Sequence, residues 1–264
     1  MHPITTFEYF NSNLDYDLNK LIQHGGLPSV LTSKKPHQRL KAYISIYLQE
    51  EIKAEGYVRN LSDFSKFLDV AALTNSEQLD YNGVASDVQI SARTVSSYYQ
   101  ILQDTLLGYL LEPYKETKTR KAVTTPKFYF FDVGVANYLT GREILASGTP
   151  EYGKAVEHLV FTELIAYNHY LDKNFKIFYW RSTSQFEVDF LIQTKNKKWI
   201  AIEVKATRRV GISDFKGIKA LEDDLRLDRK VIVSLEHDLR KTQDNFEIFP
   251  LQIFFDQLWS GNIF

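Results

Sequence analysis

Two carboxylates and a lysine interrupt the apolar strands of "FEVDFLIQTKNKKWIAIEVKA", residues 186–206. The segment is predicted to form a hairpin with its turn in the TKNKK stretch, which places Asp189 opposite Glu203 and Glu187 opposite Lys205. Carboxylates that face each other across two strands, about 5 Å apart, repel each other by roughly 3 kcal/mol at an effective dielectric constant near 20. A divalent cation such as Mg²⁺ between them would turn this repulsion into binding.

The other face of the predicted hairpin is apolar and suits a protein core. The residues expected on that face are Val188, Phe190 and Ile192 on the first strand and Ile200, Ile202 and Val204 on the second. The charged face has two interpretations at this point. It forms a cation site, or it is a solvated surface on which Glu187 and Lys205 make an ordinary ion pair.

The composition is that of a folded protein with sizeable cores. The chain has 264 residues, of which 44% are hydrophobic and 14% aromatic, and this argues against disorder. It has no cysteine, which excludes disulfides, thiolate zinc sites and cysteine nucleophiles. Because no apolar run is long enough to span a membrane and no signal-peptide pattern is present, we expect a cytoplasmic protein without a membrane partner. The net charge is −1, so any site for a polyanion must be local.

The pattern of apolar residues predicts a mixed α/β protein in three parts. Residues 1–56 are expected to be helical, residues 57–142 to form a winged helix-turn-helix, and residues 143–264 to form a mixed sheet flanked by helices. The middle part is predicted from helices at 61–73, 82–89 and 91–107 and strands at 108–114 and 127–132. The last part is predicted from helices at 150–171, 213–225 and 250–259 and strands at 176–181 and 229–236, besides the hairpin.

Several cations are candidates for binding nucleic acid. Arg93 lies on the helix in the recognition position of the predicted winged helix. Lys118, Arg120 and Lys121 lie on the loop that would form the wing tip, where they either grip phosphates or form a solvated charged surface. Arg208 and Arg209 follow the second hairpin strand. They either hold a substrate strand near the carboxylates or are surface charges, and Arg181 either points to the same site or pairs with a carboxylate.

The order Asp189, then Glu203-Val204-Lys205 after a hairpin, with Glu157 on a preceding helix, resembles the PD-(D/E)XK nuclease superfamily. The resemblance implies that Asp189 and Glu203 hold Mg²⁺ and that Lys205 assists the nucleophilic water. It also implies that Glu157 supports the metal, although Glu163 on the same helix is an alternative for that role.

A wider resemblance covers essentially the whole chain. In order, "HPITTFEYF", "HGGLPSV", "YLQEEI", "KFYFFDVG", "GKAVEHLVFTEL", "YWR…FEVDFLI" and "IEVKAT" are similar to the region that follows the P-loop core in a bacterial and archaeal family of AAA-type ATPases. The resemblance implies a winged helix and a nuclease-like domain. It also implies an ATPase core that is lost, truncated or supplied by a partner chain, because the sequence starts where that core should end.

ATP binding by this chain alone is not expected. The stretch "GTPEYGKA" at residues 148–155 matches G-x-x-x-x-G-K, but Ala155 stands where a hydroxyl should bind Mg²⁺. Pro150 and Glu151 suit the start of a helix better than a phosphate cradle. "FYFFD" at residues 128–132 resembles a Walker B strand, but it precedes this stretch instead of following it.

Two functions of different classes follow from these observations. The first is a DNA-associated enzyme that hydrolyses phosphodiester bonds with Mg²⁺ at Asp189, Glu203, Lys205 and Glu157. The second is a non-catalytic adaptor that binds DNA or protein and uses the nuclease-like fold as a scaffold. The presence of all four motif residues favours the enzyme, whereas the near-neutral charge favours the adaptor.

Overall fold

A computed structural model describes residues 2–48, 58 and 60–264, and the mixed α/β class predicted from the sequence is confirmed. The described residues fall into two compact units. The N-terminal unit lies within Met1–Thr5, Ser12–Leu110 and Lys127–Leu145, and the C-terminal unit consists of Thr6–Asn11, Leu111–Pro126 and Ala146–Phe264. No helix among the described residues is long and apolar enough to cross a membrane.

The N-terminal unit is mainly helical. Its helices are α2 (Leu18–His24), α3 (Pro28–Leu31), α4 (Pro36–Ala42), a π-helical stretch (Tyr43–Leu48), α5 (Leu61–Leu73), α6 (Tyr81–Val88), α7 (Ala92–Asp104) and α8 (Val133–Leu139), and helix α1 (Thr6–Phe10) belongs to the other unit. Strands β1 (Gly108–Leu111) and β2 (Lys127–Phe130) pair in a two-stranded sheet. Apolar residues spaced three and four apart, among them Leu40, Tyr43 and Ile44, predict a helix over 37–56, and its end from residue 49 onward lies outside the described residues.

Polar side chains cap the N-termini of helices α5, α6 and α7, which follow one another in the chain. Ser91 opens the helix predicted at 91–107 as a natural N-cap, and this is confirmed, because its hydroxyl accepts the Thr94 N–H of α7. The sequence suggests Ser62 as the cap of α5, but this is wrong, because the Asn60 side chain accepts the first N–H groups instead. The helices then pack into one apolar core that also takes residues from the first 48 positions, including Val30, Leu40 and Ile44.

Two glycine-containing motifs of this unit pack against each other. The Asp132 carboxylate caps α8 through the Val135 N–H and also accepts the Gly26 N–H, at 2.9 and 2.7 Å. A Cβ atom on Gly134 would lie 1.9 Å from the His24 carbonyl oxygen. Burial raises the pKa of Asp132 to about 6 although backbone N–H groups counteract it. The "HGGLP" and "FFDVG" motifs therefore hold helices α2 and α8 together.

The C-terminal unit is built on a six-stranded sheet. Its elements are α9 (Pro150–Tyr170), β3 (Lys176–Arg181), β4 (Glu187–Gln193), β5 (Trp199–Lys205), a 3₁₀ helix (Ile212–Phe215), α10 (Lys216–Glu222), β6 (Arg229–Ser234), β7 (Arg240–Lys241), β8 (Phe246–Pro250) and α11 (Leu251–Trp259). The strand order is β3-β4-β5-β6-β8-β7. Strands β5, β6 and β8 are parallel, and the hairpin joins β4 to β5 in antiparallel fashion.

Helices cover both faces of this sheet. The Phe161 ring of α9 stacks on Phe190 of β4, with ring centroids 6.0 Å apart. On the other face, Ile218 and Leu221 of α10 pack in a cluster with Leu191 of β4. The five middle residues of β4 and of β5 are buried, so neither face of the hairpin is solvated along its middle.

Candidate functional site

The candidate residues meet at one end of the C-terminal sheet, where β3 and β5 end and β4 begins. We call this the carboxylate end, and the opposite end, which holds the turn at residues 194–198, the turn end. Strands β5 and β6 are parallel, with Lys205 beside Ser234, so their carboxyl ends both lie at the carboxylate end. In open α/β sheets, ligands bind just beyond the carboxyl ends of parallel strands.

A β-bulge in β4 shapes this end of the sheet. The predicted β4–β5 register is confirmed from Gln193 opposite Trp199 to Phe190 opposite Ile202. Between β3 and β4, however, Phe178 pairs with Leu191 whereas Trp180 pairs with Val188, which leaves one extra residue on β4. Bulges of this kind re-aim side chains and are frequent next to active sites.

Because of the bulge, Val188 lies on a different face of the sheet from the one predicted. Because Phe178 and Trp180 lie on one face of β3, their partners Leu191 and Val188 also share a face. Val188 accordingly packs in the cluster that contains Leu191, and the prediction that it lies on the face of Phe190 is wrong.

Asp189 and Glu203 are brought together at the bulge. The Asp189 carboxylate accepts the Val204 N–H at 2.8 Å, and the Glu203 carboxylate accepts the Asp189 N–H at 3.3 Å. Only 7% of Asp189 and 5% of Glu203 is exposed. The alternative in which these carboxylates lie on a solvated surface is therefore wrong.

Lys205 is part of the same group. Its ammonium donates to Glu203 Oε1 at 2.5 Å, two residues away on the same strand. Burial raises the pKa of Glu203 to about 7 even though Lys205 counteracts it. Burial would lower the pKa of Lys205, but Glu203 and Asp189 outweigh it and raise that pKa, so Lys205 is a cation at neutral pH. With both carboxylates ionised, the group carries one more negative than positive charge, which a bound cation would offset.

The two helical glutamates have different environments. The Glu163 carboxylate is buried and accepts hydrogen bonds from Thr6 and from the Trp259 indole, so the alternative that it joins the candidate site is wrong. Glu157 is partly exposed on α9. Among the described residues no group of three or more His, Asp or Glu side chains is arranged to hold a metal ion, so Glu157 does not complete a three-carboxylate cluster with Asp189 and Glu203.

Glu187 pairs with β3 instead of completing the predicted ladder with Lys205. Its carboxylate lies 3.1 Å from the Arg181 guanidinium, and Arg181 is also its strand partner. The regular β4–β5 ladder ends at Phe190, because the bulge interrupts it before Glu187 is reached. Of the two alternatives for Arg181, the structure therefore supports pairing with a carboxylate.

The basic loop predicted as a wing tip belongs to the C-terminal unit. The Asp224 carboxylate accepts the backbone N–H groups of Lys118, Thr119 and Arg120. The Arg120 guanidinium lies 3.0 Å from Asp223 and 4.9 Å from the centre of the Phe186 ring. The loop is thus attached to the C-terminal unit. The alternative interpretation, a freely solvated charged loop, does not apply to the backbone at 118–120 or to the Arg120 side chain.

The next part of this loop runs along the β3–β4 turn. Its contacts there are the Thr183 N–H to the Lys121 carbonyl and the Val123 N–H to the Arg181 carbonyl. Lys121 therefore lies at the carboxylate end of the sheet. Arg208 and Arg209 are exposed just beyond the end of β5, at the same end. Arg93 is exposed on α7 in the N-terminal unit.

The stretch that resembles a P-loop is helical. Thr149 caps α9 by accepting the Tyr152 N–H, Pro150 is the first helical residue, and Gly153 and Lys154 lie inside the helix. Asp132 is the acidic residue of the Walker B-like strand, and its carboxylate accepts the N–H groups of Gly26 and Val135. This role of Asp132 is not predicted from the sequence, although the glycines of "HGGLP" and "DVG" are a signal that indicates close packing there.

Comparisons with known proteins identify domains whose function is unknown. Residues 15–145 match a domain of unknown function (DUF8612), and residues 152–254 match another (DUF4143). Uncharacterized proteins of Mycobacterium bovis and Mycobacterium tuberculosis are each 23% identical over 220 residues, which is 81% of this chain and 48% of theirs. An uncharacterized protein of Methanocaldococcus jannaschii is 24% identical over 220 residues, 80% of this chain and 47% of its own. The chain spans about half the length of these curated relatives, and no solved structure matches it.

Proposed function

We propose that the C-terminal unit hydrolyses phosphodiester bonds in nucleic acid with a divalent cation held by Asp189 and Glu203. The observation that carries this proposal is the pair of buried carboxylates beside Lys205 at the β4 bulge. Placing two carboxylates and one ammonium in a largely buried position is costly unless the remaining negative charge is offset. Oxygen ligands from one or two carboxylates, completed by water and substrate phosphate, are what Mg²⁺ prefers.

Each residue has a distinct role in this proposal. Asp189 and Glu203 would hold the cation, which when bound would polarise the phosphate and favour deprotonation of water. The Lys205 ammonium would orient the attacking water and stabilise the charge that develops on the phosphate. The water oxygen bonds to phosphorus and loses a proton to solvent, the bond to the leaving oxygen breaks, and that oxygen takes up a proton from solvent and departs as a hydroxyl group. Glu157 is proposed to act from α9 at the edge of the site.

Cations at the same end of the sheet support a nucleic-acid substrate. Lys121 is fixed beside the β3–β4 turn, and Arg208 and Arg209 lie beyond β5. They are proposed to contact the phosphates of the substrate strand. In the N-terminal unit, helices α5 to α7 followed by β1 and β2 support a winged helix, from which Arg93 would contact DNA. An ATPase core on a partner chain or another segment remains a proposal from the family resemblance.

The second candidate is a non-catalytic adaptor, and one observation favours it. Lys205 already donates to Glu203 at 2.5 Å, so an internal ion pair offsets part of the charge that would attract a cation. In the adaptor the same fold would bind DNA or protein without cleavage.

A cleavage assay separates these functions. Single-stranded, duplex and branched DNA, and RNA, are incubated with the full chain and Mg²⁺, Mn²⁺ or EDTA. The enzyme predicts cleavage with the metal ions only, loss of cleavage in Asp189→Asn, and unchanged cleavage in Asp172→Asn, a control at an exposed position at the turn end. Absence of cleavage on every substrate, with unchanged folding, would support the adaptor.

A further inference from the structure

A group of lysines lies at the turn end of the C-terminal sheet, opposite the candidate site. We call it the lysine cluster; its members are Lys173, Lys176, Lys195, Lys197 and Lys198. The first two lie where the chain enters β3, and the other three lie in the turn between β4 and β5. Because Lys176 of β3 pairs with Gln193 of β4, the two segments are neighbours. Adjacent strands are about 5 Å apart, so five cations share one small surface.

None of these lysines has a carboxylate partner within the described part of the chain. All five are exposed. The cations of the C-terminal unit that do have carboxylate partners include Arg181, Lys205, Lys219, Arg229 and Lys230. Two acids lie nearby, the exposed Asp172 and Asp228, which accepts the Trp199 N–H and lines the adjoining cavity. Five lysines against two carboxylates still leave three positive charges in excess. The turn end therefore has a concentrated positive charge that the near-neutral composition conceals.

Hydrogen bonds hold both lysine-bearing segments in fixed conformations. In the β4–β5 turn, Thr194 exchanges backbone hydrogen bonds with Lys197 and Lys198, and its hydroxyl accepts the Lys198 N–H. In the other segment, the Asn168 side chain bonds both the N–H and the carbonyl of Phe175. A fixed backbone lowers the conformational entropy that a bound ligand would otherwise have to remove.

A cavity of about 570 Å³ lies between the two segments. Lys173, Lys195 and Lys198 are part of its lining, and Phe175, Ile263 and Phe264 contribute apolar and aromatic surface. The site thus combines cations with an apolar recess. Proteins that bind single-stranded nucleic acid use this combination, with cations along the phosphates and aromatic side chains against the bases.

We propose that the lysine cluster and its cavity form a second nucleic-acid-binding surface that holds a single strand. The lysines contact backbone phosphates, and a base enters the recess against Phe264, the aromatic lining residue that is only partly buried. This surface is separate from the carboxylate end and needs no metal ion, so it does not depend on cleavage.

An anionic membrane is the other ligand to which such charge is suited, because Tyr170 and Leu171 are exposed close to Lys173. The shape of the site favours nucleic acid. Phe175 and Ile263 are at most 6% exposed, and Phe264 is half-buried in the same recess, whereas a bilayer is contacted by protruding side chains.

Binding is measured by fluorescence anisotropy with a labelled oligothymidylate of about 16 nucleotides, in EDTA and at several salt concentrations. The test variant replaces Lys195, Lys197 and Lys198 with Gln in the full chain. We expect about tenfold weaker binding at low salt and a slope of log affinity against log salt that is shallower by about 2, since each lost contact with a single strand contributes about 0.7.

The control variant replaces Lys34, Lys35 and Lys41 with Gln, which removes the same charge from exposed positions of the N-terminal unit. It should leave both the affinity and the slope nearly unchanged. Equal losses in the two variants would mean that only net charge matters, and this would overturn the proposal. Binding to phosphatidylserine vesicles that depends on the cluster, with no dependence for DNA, would assign the surface to a membrane instead.

Discussion

The buried Glu163 carboxylate accepts hydrogen bonds from both the backbone N–H and the hydroxyl of Thr6, at 2.7 and 2.8 Å. The Trp259 indole donates to the same carboxylate at 2.6 Å. Thr6 begins α1, which belongs to the C-terminal unit although residues 12–110 that follow it belong to the other unit. Glu163 therefore attaches a short N-terminal helix to α9 and α11.

Replacement of Glu163 should change how stability depends on pH. Burial raises the pKa of Glu163 to about 7, with Glu8 adding to the rise, from a usual value of 4.5. The folded state then binds more protons than the unfolded state between these values, so stability is lost as the pH rises through this window. Glu163→Gln should remove a dependence worth about 3 kcal/mol, measured by urea unfolding between pH 4.5 and 7.5.

The matched control is Glu157→Gln, at a partly exposed position on the same helix. This variant should keep the pH dependence of the original chain. Part of that dependence comes from Glu203 and Asp132, whose raised pKa values also make stability fall as the pH rises. If Glu163→Gln and the original chain lose stability in parallel as the pH rises, the carboxylate is ionised in the folded state throughout the range.

Two glycines in helices of the C-terminal unit should respond oppositely to alanine. A Cβ atom on Gly217 of α10 would lie 1.7 Å from the Glu187 carbonyl oxygen, so Gly217→Ala must displace α10 from the start of β4. A Cβ atom on Gly153 of α9 would meet only Ala206, at 3.9 Å. Gly153→Ala should stabilise the chain by about 0.5–1 kcal/mol, as expected inside a helix, and Gly217→Ala should destabilise it by about 1–3 kcal/mol. Thermal unfolding of both variants checks the pair; destabilisation by both would show that α9 is also tightly packed at Gly153.

The hairpin shows how far sequence patterns determine this fold. Strict alternation and a short polar turn were sufficient to predict the pairing of Phe190 with Ile202. They could not indicate the bulge at Asp189, because an inserted residue leaves the sequence alternation unchanged and is only defined by the neighbouring strand β3. Burial of the charged face was missed for a related reason: α10 covers it through contacts that are distant in sequence.

The sequence predicts which residues form the candidate site, but not how the basic loop is attached beside it. The types and spacing of Asp189, Glu203 and Lys205 indicated one group, and the structure brings them together. The position of the Lys121 loop after α7 and β1 favours a wing. Its attachment instead depends on Asp224, which is about a hundred residues later and carries no local signal.

Removal of the Asp224 carboxylate should release this basic loop. Asp224 accepts three consecutive backbone N–H groups, those of Lys118, Thr119 and Arg120. Those N–H groups lower its pKa, although burial acts in the opposite direction, so it is ionised at neutral pH. In Asp224→Ala, trypsin should cut after Lys118, Arg120 or Lys121 several times faster. Asp223→Ala is the control, since it removes only the side-chain pair with Arg120; equal cleavage rates in both variants would mean that the backbone contacts do not hold the loop.

The last prediction concerns competition between Lys205 and a cation for Glu203. The Lys205 ammonium occupies Glu203 Oε1, so Lys205→Met should leave a buried carboxylate without its cation and lower stability by about 2 kcal/mol in EDTA. The same change should let Mn²⁺ or Mg²⁺ stabilise the chain more than before, because the oxygen becomes available. In Asp189→Asn both ions should lose most of their stabilising effect, and in Glu157→Gln only part of it.

Thermal unfolding against metal concentration measures these effects, since an ion present at a hundred times its dissociation constant stabilises by about 2.7 kcal/mol. Ca²⁺ at equal concentration tests for size selectivity, and Asp172→Asn serves as the exposed control at the turn end. The variants should rank differently by cleavage rate than by stabilisation with the metal ion. Lys205→Met should bind the ion yet lose most of the rate, because the ammonium acts on water and phosphate and not on the metal. Metal stabilisation that is identical in the original chain, Asp189→Asn and Lys205→Met would place any bound cation away from the β4 bulge and leave the adaptor as the better account of this fold.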